Sequence, residues 1–242
     1  MKIAFFIHED YTFTYDMLRI LIPELRKKHQ ISGIISFPDV LTKYTGPSIP
    51  LKYLEIFGLV AFTRLALVSL RSRLKSTTFQ QLSEKHGIYY WQSSSPNNKE
   101  VIDWLRENNV DLIFTFIGHI MKNEVISAPK YGLINKHASV LPANKGVFPV
   151  FWSMLKGDEI GFSLHKVTKD LDSGEIVYQK KYPKQKLSLY EWYKKIYEDV
   201  PDAILSYLEK PQVIQSSNTP SYHGLPTRKD VLLFYEMGFK LI

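Results

Sequence analysis

The amino-acid sequence predicts an α/β protein built on an open, mostly parallel, Rossmann-like sheet. Short apolar runs such as residues 2–7 and 111–116 alternate with segments of helical periodicity. Continuously apolar runs of this kind are typical of parallel strands that are buried on both faces. The 242 residues suit one large domain. We expect a core at residues 1–183, followed at 184–242 by a helix and an ordered tail rather than an independent domain.

Strands and helices alternate along the first part of the chain in the order typical of βαβ units. The predicted strands are residues 2–7, 31–37, 88–91, 111–116 and 132–138, and the helices between them are 15–29, 58–86, 98–109 and 122–127. After Pro142 the pattern changes. There we expect a helix at 149–156, a hairpin with strands 161–168 and 175–182, a helix at 188–209 that begins at Ser188, and a short helix at 228–238.

Several classes of site are excluded or disfavoured by what the sequence lacks. The chain has no cysteine, which excludes disulfides, a cysteine nucleophile and cysteine-ligated metals. Its seven histidines show no metal-ligand spacing, so we expect no metal. No G-x-G-x-x-G turn follows the first strand, and neither a phosphate-binding P-loop nor a G-x-S-x-G elbow is present.

The net charge of +7 is compatible with an anionic partner, but the lysines are spread along the whole chain and favour a solvated surface. The apolar stretch 51–70 contains Lys52, Glu55 and Arg64, so we expect no integral membrane segment. It continues into a basic segment at 71–75, and such a helix could lie on a membrane. We expect it instead to cover the sheet with its polar side in water. A first strand, not a signal peptide, is predicted at the N-terminus, and the protein is expected in the cytoplasm, with peripheral attachment to the inner membrane left open.

One dense polar segment stands out, residues 133–142. Asn135, His137 and Ser139 alternate along a predicted strand and therefore share one face. An amide and an imidazole near the carboxyl end of a buried strand are costly unless they are hydrogen-bonded, and this is the edge where open α/β sheets bind ligands. A structural role remains open from these residues alone, since a single histidine is often structural. Asp172 before Ser-Gly is also a common turn residue.

A longer spaced pattern resembles the folate-dependent formyltransferase family. Residues 111–121 and the first βαβ unit at 1–40 are also similar to that family, so that the resemblance covers roughly two-thirds of the chain. The pattern consists of Asn135-x-His137-x-Ser139-x-Leu141-Pro142, then Gly146, Gly157-Asp158, Gly161 and His165, and finally Leu171-Asp172-Ser173-Gly174.

The resemblance implies a catalytic set and a co-substrate. The catalytic residues would be Asn135, His137 and Asp172, and the formyl donor would be 10-formyltetrahydrofolate. The reduced folate would lie against two loops, one matching residues 118–121 and one matching the hairpin turn 167–172. The expected folate-binding residues are Gly118, His119, Ile120, Met121, Val167 and Lys169.

General chemistry gives each member of the catalytic set a role. An amine that attacks a formyl carbon produces a negative oxygen, to which the Asn135 amide can donate; losing one such donor costs on the order of 10²–10³ in rate. His137, with an ordinary pKa of about 6.5, can take the amine proton or, when protonated, stabilise the oxyanion. Asp172 can orient the imidazole. The sequence leaves the choice between base and cation open.

The acceptor amine is the least determined part of the prediction. The short region after the hairpin disfavours methionyl-tRNA and any nucleic-acid partner, and the long 51–86 segment and the tail disfavour glycinamide ribonucleotide. The tail at 221–227 and 230–242 is similar to that of bacterial sugar N-formyltransferases, which act in surface polysaccharide synthesis. This implies a dTDP-linked amino sugar, best matched by dTDP-4-amino-4,6-dideoxyglucose, contacts from Ser139 and Tyr222, and a homodimer. A folate- or nucleotide-binding module without catalysis is the alternative from another class.

Overall fold

A computed structural model describes all residues from 1 to 242, and its centre is a seven-stranded sheet. Two further pairs of short strands lie outside it. The strands are β1 (Lys2–Ile7), β2 (Gln30–Ser36), β3 (Val40–Leu41), β4 (Tyr44–Thr45), β5 (Tyr89–Gln92), β6 (Leu112–Thr115), β7 (Leu133–His137), β8 (Lys145–Gly146), β9 (Gly161–Lys166), β10 (Ile176–Lys181) and β11 (Tyr222–His223).

Nine helices surround these strands and connect most of them in sequence. They are α1 (Thr14–Leu25), α2 (Ser48–Phe57), α3 (Leu59–Lys75), α4 (Phe79–Lys85), α5 (Lys99–Glu107), α6 (Asn123–Ile126), α7 (Pro149–Lys156), α8 (Leu189–Glu209) and α9 (Arg228–Glu236). None of them combines the length and hydrophobicity needed to cross a bilayer.

The central sheet has the order β10-β9-β7-β6-β1-β2-β5. The five strands from β7 to β5 are parallel, whereas β9 runs antiparallel to β7 and forms a hairpin with β10. The predicted α/β fold with a mostly parallel sheet is thereby confirmed. Because the strand order reverses between β1 and β6, their carboxyl ends open a crevice of the kind in which such sheets bind ligands.

The alternation of side chains along β1 shows how the core is divided. Ile3, Phe5 and Ile7 pack on one face of the sheet, where α1, α7 and α8 lie, and Ala4 and Phe6 pack on the other, with α5 and α6. All five side chains are fully buried. Burial on both faces explains why this strand is a continuous apolar run rather than an alternating one.

The prediction of one helix over 58–86 was wrong. The segment forms α3 and α4, and α2 precedes them from Ser48. Gly58 separates α2 from α3 with a φ of +79°, a left-handed conformation that favours glycine. A capping box of Thr78 and Gln81 starts α4. The expectation that the basic helix covers the sheet was also wrong, because Ala61 is the single buried residue of α3.

The region after the hairpin contributes to the same core. α8 begins with a capping box of Ser188 and Glu191, as the sequence predicts, and packs against α1. β11 pairs in parallel with β8, which ties the tail to the loop after β7. A domain boundary at residue 183 stays a prediction, although buried residues from both sides of it share one hydrophobic cluster.

Candidate active site

Asn135 and His137 lie within the last three positions of β7 and point to the same face, as strand alternation predicts. The antiparallel register of β9 places His165 directly opposite Asn135. The Asn135 amide Nδ2 lies 3.2 Å from His165 Nε2. His165 Nδ1 lies 3.0 Å from the Lys166 carbonyl oxygen, which can only accept a hydrogen bond, so Nδ1 carries the proton and Nε2 is free to accept from Asn135.

The hairpin turn between β9 and β10 brings Asp172 to these side chains. The turn leaves the sheet beside the beginning of β7, where the Val167 amide donates to the Leu133 carbonyl over 2.8 Å, and folds back along the strand. One carboxylate oxygen of Asp172 lies 3.6 Å from His137 Nδ1, and the other lies 3.5 Å from His165 Nε2. Sequence positions 135, 137 and 172 therefore meet in one buried polar cluster.

Asp172 is held in place by the loop after β7. Its backbone has a φ of +48°, and its carboxylate accepts a hydrogen bond of 2.9 Å from the Gly146 amide. Gly146 lies in β8 with a φ of +94°, packed so closely on β11 that a Cβ would overlap the carbonyl oxygen of His223. The Asn144 amide donates to Ser221 Oγ over 2.8 Å, which fixes the same loop to the tail. The tail thus supports the position of Asp172.

The charges of the cluster follow from burial and from these contacts. Burial lowers the pKa of His137, and this effect outweighs the opposing influence of the Asp172 carboxylate. Burial alone would raise the pKa of Asp172, but the neighbouring His165 and His137 imidazoles and the Gly146 amide together lower it to about 2. At neutral pH the cluster therefore contains a neutral imidazole at His137 beside an ionised carboxylate.

The neutral ring of His137 carries its proton on one nitrogen, which leaves the other nitrogen free to accept a proton. Nε2 lies 2.9 Å from the Asn144 carbonyl oxygen, so Nε2 carries the proton of the neutral ring and donates it to that oxygen. Nδ1 is then unprotonated and faces Asp172 at 3.6 Å, beyond a direct hydrogen bond. A proton that reaches Nδ1 would be stabilised by the carboxylate, so the arrangement can act as a general base with an orienting acid residue.

The expected folate loop follows β6 and carries Gly118, His119, Ile120 and Met121. Asn97 fixes its shape, because its amide donates to the Ile120 carbonyl over 2.9 Å and its carbonyl accepts from the Lys122 amide over 2.7 Å. A Cβ on Gly118 would lie 2.7 Å from the Val40 carbonyl oxygen, so the loop and β3 approach as closely as a glycine allows. Met121 is buried, and Ile120 is 79% exposed.

The residues present fit a reduced folate between this loop and the hairpin turn. Ile120 and, on the turn, Leu171 expose apolar side chains on the two loops, and Nδ1 of His119 is buried without a hydrogen-bond partner. An apolar ring with polar edges could cover the first two and satisfy the third. Val167 is half-buried on the turn, whereas Lys169 is exposed. Histidine, aspartate and glutamate side chains nowhere form a group of three that could ligate a metal ion.

A cleft of about 670 Å³ opens at the carboxyl ends of β1 and β6. Its wall includes the loop 8–13, the inner side of α3, Gly118 and Phe148, and it contains no lysine or arginine. The carboxylate of Asp10 accepts hydrogen bonds from the amides of residues 12–14, so the amides at the start of α1 are already paired with an anion. Aromatic rings dominate the wall, namely Tyr11, Phe13, Tyr53, Phe57, Phe62, Phe148, Tyr190, Tyr193 and Tyr197.

Two cations stack on rings that line this cleft, although neither cation is itself part of the lining. Lys136 Nζ lies 4.0 Å from the centre of the Tyr197 ring, and the Arg73 guanidinium lies 4.4 Å from the centre of the Tyr11 ring. Lys136 points away from Asn135 and His137, as alternation predicts. The same orientation places its ammonium on the Tyr197 ring, which lines the cleft, and makes Lys136 a candidate for binding an anionic group.

The two residues expected to contact the acceptor lie in different surroundings. Ser139 is fully buried, and its hydroxyl donates to the Ala143 carbonyl over 2.6 Å, so it supports the loop between β7 and β8. Tyr222 is 61% exposed in β11, with its ring packed over Gly146. Neither residue lines the aromatic cleft.

Sequence reasoning did not assign a role to His165, Asn144 or Gly146. His165 was part of the recognised spacing, and the alternation of Ser163 and His165 along a buried strand could have indicated a polar face opposite Asn135. The contact between Gly146 and Asp172 depends on the pairing of β8 with β11, two strands of two residues each, which leave no periodic signal.

Comparison with known proteins gives one family. The family model described as formyl transferase matches residues 1–205. Methionyl-tRNA formyltransferase of Thermotoga maritima is 30% identical over 141 residues, which are 57% of this chain and 45% of that protein. The chain thus spans less than half the length of this curated relative.

Two solved structures superpose on the chain. One is the formyltransferase PseJ from Anoxybacillus kamchatkensis, in complex with UDP-4,6-dideoxy-4-formamido-L-AltNAc and tetrahydrofolate; it is 26% identical, with a TM-score of 0.52 over 69% of this chain and 92% of that one. The other is glycinamide ribonucleotide transformylase 1 from Symbiobacterium toebii, 18% identical with a TM-score of 0.61 over 92% and 94% of the two chains. The comparison with the transformylase shows that the two chains share a fold.

Proposed function

Because the chain belongs to the formyl transferase family, we propose that it transfers a formyl group from 10-formyltetrahydrofolate to the amino group of a nucleotide-linked amino-dideoxy sugar. The main support for this reaction is that Asn135, His137 and Asp172 lie in one buried cluster in which the His137 imidazole is neutral. The family match supports the donor, and the tetrahydrofolate complex of the 26% identical relative agrees with it.

Each member of the cluster then has one task. The second N–H of the Asn135 amide donates to the formyl oxygen as negative charge develops there. His137 Nδ1 takes the proton of the attacking amine, and ionised Asp172 stabilises the imidazolium that results. The imidazolium then returns this proton to N10 of the folate as the bond between N10 and the formyl carbon breaks, which releases tetrahydrofolate. Burial favours the neutral form of His137 before the reaction, so the residue acts as a base rather than as a resident cation. The folate would rest against residues 118–121 and the turn that begins at Val167.

The proposed acceptor is dTDP-4-amino-4,6-dideoxyglucose, used in surface polysaccharide synthesis. Support comes from the PseJ complex, which contains a 4-formamido-4,6-dideoxy sugar linked to a nucleotide. Aromatic rings such as Tyr190 and Tyr193 suit stacking against a nucleobase or a sugar face. The carboxylates of Glu9, Asp10 and Asp39 suit an acceptor that arrives with a protonated amine. Lys136 and Arg73 are the candidates to meet the diphosphate.

The acceptor is tested with a panel of amines. Purified full-length chain is mixed with 10-formyltetrahydrofolate and, in separate reactions, dTDP- and UDP-linked 4-amino-4,6-dideoxy sugars, glycinamide ribonucleotide and methionyl-tRNA. We expect tetrahydrofolate release and a product heavier by one formyl group with a nucleotide sugar. Turnover with methionyl-tRNA or glycinamide ribonucleotide alone would refute the sugar assignment. Tight folate binding without any turnover would show a binding module.

Assembly and location belong to the same proposal. We expect a homodimer that works in the cytoplasm, where reduced folates and nucleotide sugars are available. Analytical ultracentrifugation of the purified chain over a range of concentrations tests the dimer, and a single monomeric species at micromolar concentration would contradict it.

A further inference from the structure

Helix α3 exposes a row of large apolar side chains to solvent. Its 17 residues include a single buried one, Ala61. The outer face of α3, defined here as Leu59, Val60, Leu67, Leu70 and Leu74, is between 52 and 76% exposed at every position. Helices of globular proteins normally turn such residues toward the core. The exposed apolar row on α3 is therefore a surface feature that the proposed formyl transfer does not require.

The apolar residues form a continuous stripe. At about 100° per residue, the five positions of the outer face fall within an arc of about 100°. The opposite side of the helix, with Phe62, Leu65 and Val68, lines the aromatic cleft. The helix thus places one apolar side on the cleft and a second one in water, and exposed stripes of this kind mark interaction sites.

The charges that border the stripe are all positive. Residues 59–75 contain Arg64, Arg71, Arg73 and Lys75 and no aspartate or glutamate. Arg64, Arg71 and Lys75 project from one edge of the stripe within about 40° of one another. None of them lies within 4.0 Å of a carboxylate. Arg64, Arg71 and Lys75 are therefore free to meet anions outside the protein, whereas the Arg73 guanidinium stacks on the Tyr11 ring of the cleft.

A basic hollow lies at the N-terminal end of the same stripe. It encloses about 550 Å³, and Leu59 and Val60 form part of its wall. Arg64, Arg228 and Lys240 line it, and none of the three is paired with a carboxylate in the fold. A phosphate group next to an apolar chain would meet both requirements of this site.

We propose that the outer face of α3 and the basic hollow bind the surface of a bilayer containing anionic phospholipids. Apolar side chains of the outer face would enter the interface, and the cations beside them would contact lipid phosphates. A second copy of this chain fits the surface poorly, because it would bring the same uncompensated cations into contact with their equivalents. An acidic lipid headgroup supplies the missing charge, and acyl chains supply the missing apolar surface.

Binding in this orientation would place the cleft next to the membrane, since the inner side of α3 forms part of the cleft wall. The association does not depend on which amine accepts the formyl group. Membrane binding and formyl transfer can therefore fail separately in experiments.

Vesicle flotation tests the proposal with the full-length chain. Wild-type protein should float with phosphatidylglycerol–phosphatidylethanolamine vesicles and remain in solution with phosphatidylcholine alone. A charge variant (Arg64→Gln, Arg71→Gln, Lys75→Gln) should bind roughly a hundredfold more weakly, since each cation near an anionic surface contributes about fivefold. An apolar variant (Leu67→Ser, Leu70→Ser, Leu74→Ser) should also be released.

Two matched controls separate this site from general effects of charge and hydrophobicity. Changing the exposed lysines 122, 130 and 156 to glutamine removes the same charge outside α3, and Ile20→Ser removes an apolar side chain that is 48% exposed on α1. Both controls should float like the wild type. Unchanged thermal unfolding and unchanged turnover in the absence of vesicles would show that the α3 variants are folded.

Three results would overturn the proposal. Absence of wild-type flotation on anionic vesicles removes membrane binding altogether. Equal flotation of the charge variant and the wild type removes the role assigned to the cations. A dimer that dissociates only in the apolar variant, without any vesicle binding, would show that a second copy covers the outer face of α3.

Discussion

Replacing Gly146 with alanine should damage both the fold and the site, because this glycine connects the tail to Asp172. Its φ of +94° lies in the left-handed region, which costs a residue with a Cβ about 1–2 kcal/mol. The new Cβ would also overlap the His223 carbonyl oxygen and lie 2.9 Å from the Tyr222 ring, so β8 and β11 must separate. This separation would displace the Gly146 amide, which donates a hydrogen bond of 2.9 Å to Asp172.

The size of the effect follows from these two contributions. A hydrogen bond to a charged group contributes about 1.5–3 kcal/mol, which together with the backbone cost gives a loss of about 3–5 kcal/mol in the free energy of unfolding. For a chain of this length that corresponds to a melting temperature lower by about 10 °C. If the same hydrogen bond is needed in the transition state, kcat falls about 10- to 100-fold.

Gly87→Ala is the matched control, since Gly87 has a φ of +61° but no atom within 4 Å of the position that a Cβ would occupy. This variant should lose about 1 kcal/mol and keep its kcat. Differential scanning calorimetry and initial rates, measured well below both melting temperatures, give the two comparisons. If Gly146→Ala melts and turns over like Gly87→Ala, the contact between β8, β11 and Asp172 does not have the proposed role.

The remaining predictions concern the chemistry of the cluster and the cleft. Because neutral His137 is the active form and burial lowers its pKa, the acidic limb of the pH profile of kcat/KM should be centred below the ordinary histidine value of about 6.5; an acidic limb centred above 7 would contradict this. Asp172→Asn removes the charge that raises the pKa of His137, so the limb should move further to the acid side while kcat drops about 10²–10⁴. Asn135→Ala should lower kcat about 10²–10³ with little change in KM, and full activity would exclude an oxyanion donor there. Lys136→Gln should raise KM for the acceptor without lowering kcat, whereas Lys195→Gln, which removes a lysine stacked on Tyr182 outside the cleft, should change neither.

Period-two alternation explains how much of the site was predictable. A strand forces residues two apart onto one face, so Asn135 and His137 had to point together and Lys136 had to point away. The approach of Asp172 is a different matter. The turn must fold back along β7, and this depends on a left-handed residue at position 172 and on a donor 26 residues earlier in the chain. Such geometry is non-local, and only the family resemblance could supply it.

The prediction that α3 covers the sheet was wrong for a related reason. Its sequence carries two apolar stripes, one with Phe62, Leu65 and Val68 and the other with Leu67 and Leu70. Periodicity shows that an apolar side exists, but it does not show which of two sides meets the protein. Gly58, with its positive φ, turns the chain between α2 and α3, and the side with Phe62, Leu65 and Val68 lines the cleft.

Whether His137 acts as a base or as a cation depends on its burial, which its residue type alone does not reveal. An imidazole at a strand end has an ordinary pKa of about 6.5, where base and cation are equally accessible. In the fold, β9, the hairpin turn and the loop at Asn144 close over the ring, and the resulting loss of hydration outweighs the attraction of Asp172. The Asn144 carbonyl then fixes the proton on Nε2. Three segments far apart in sequence thus make Nδ1 the basic nitrogen, and the carboxylate beside it acts after the proton arrives.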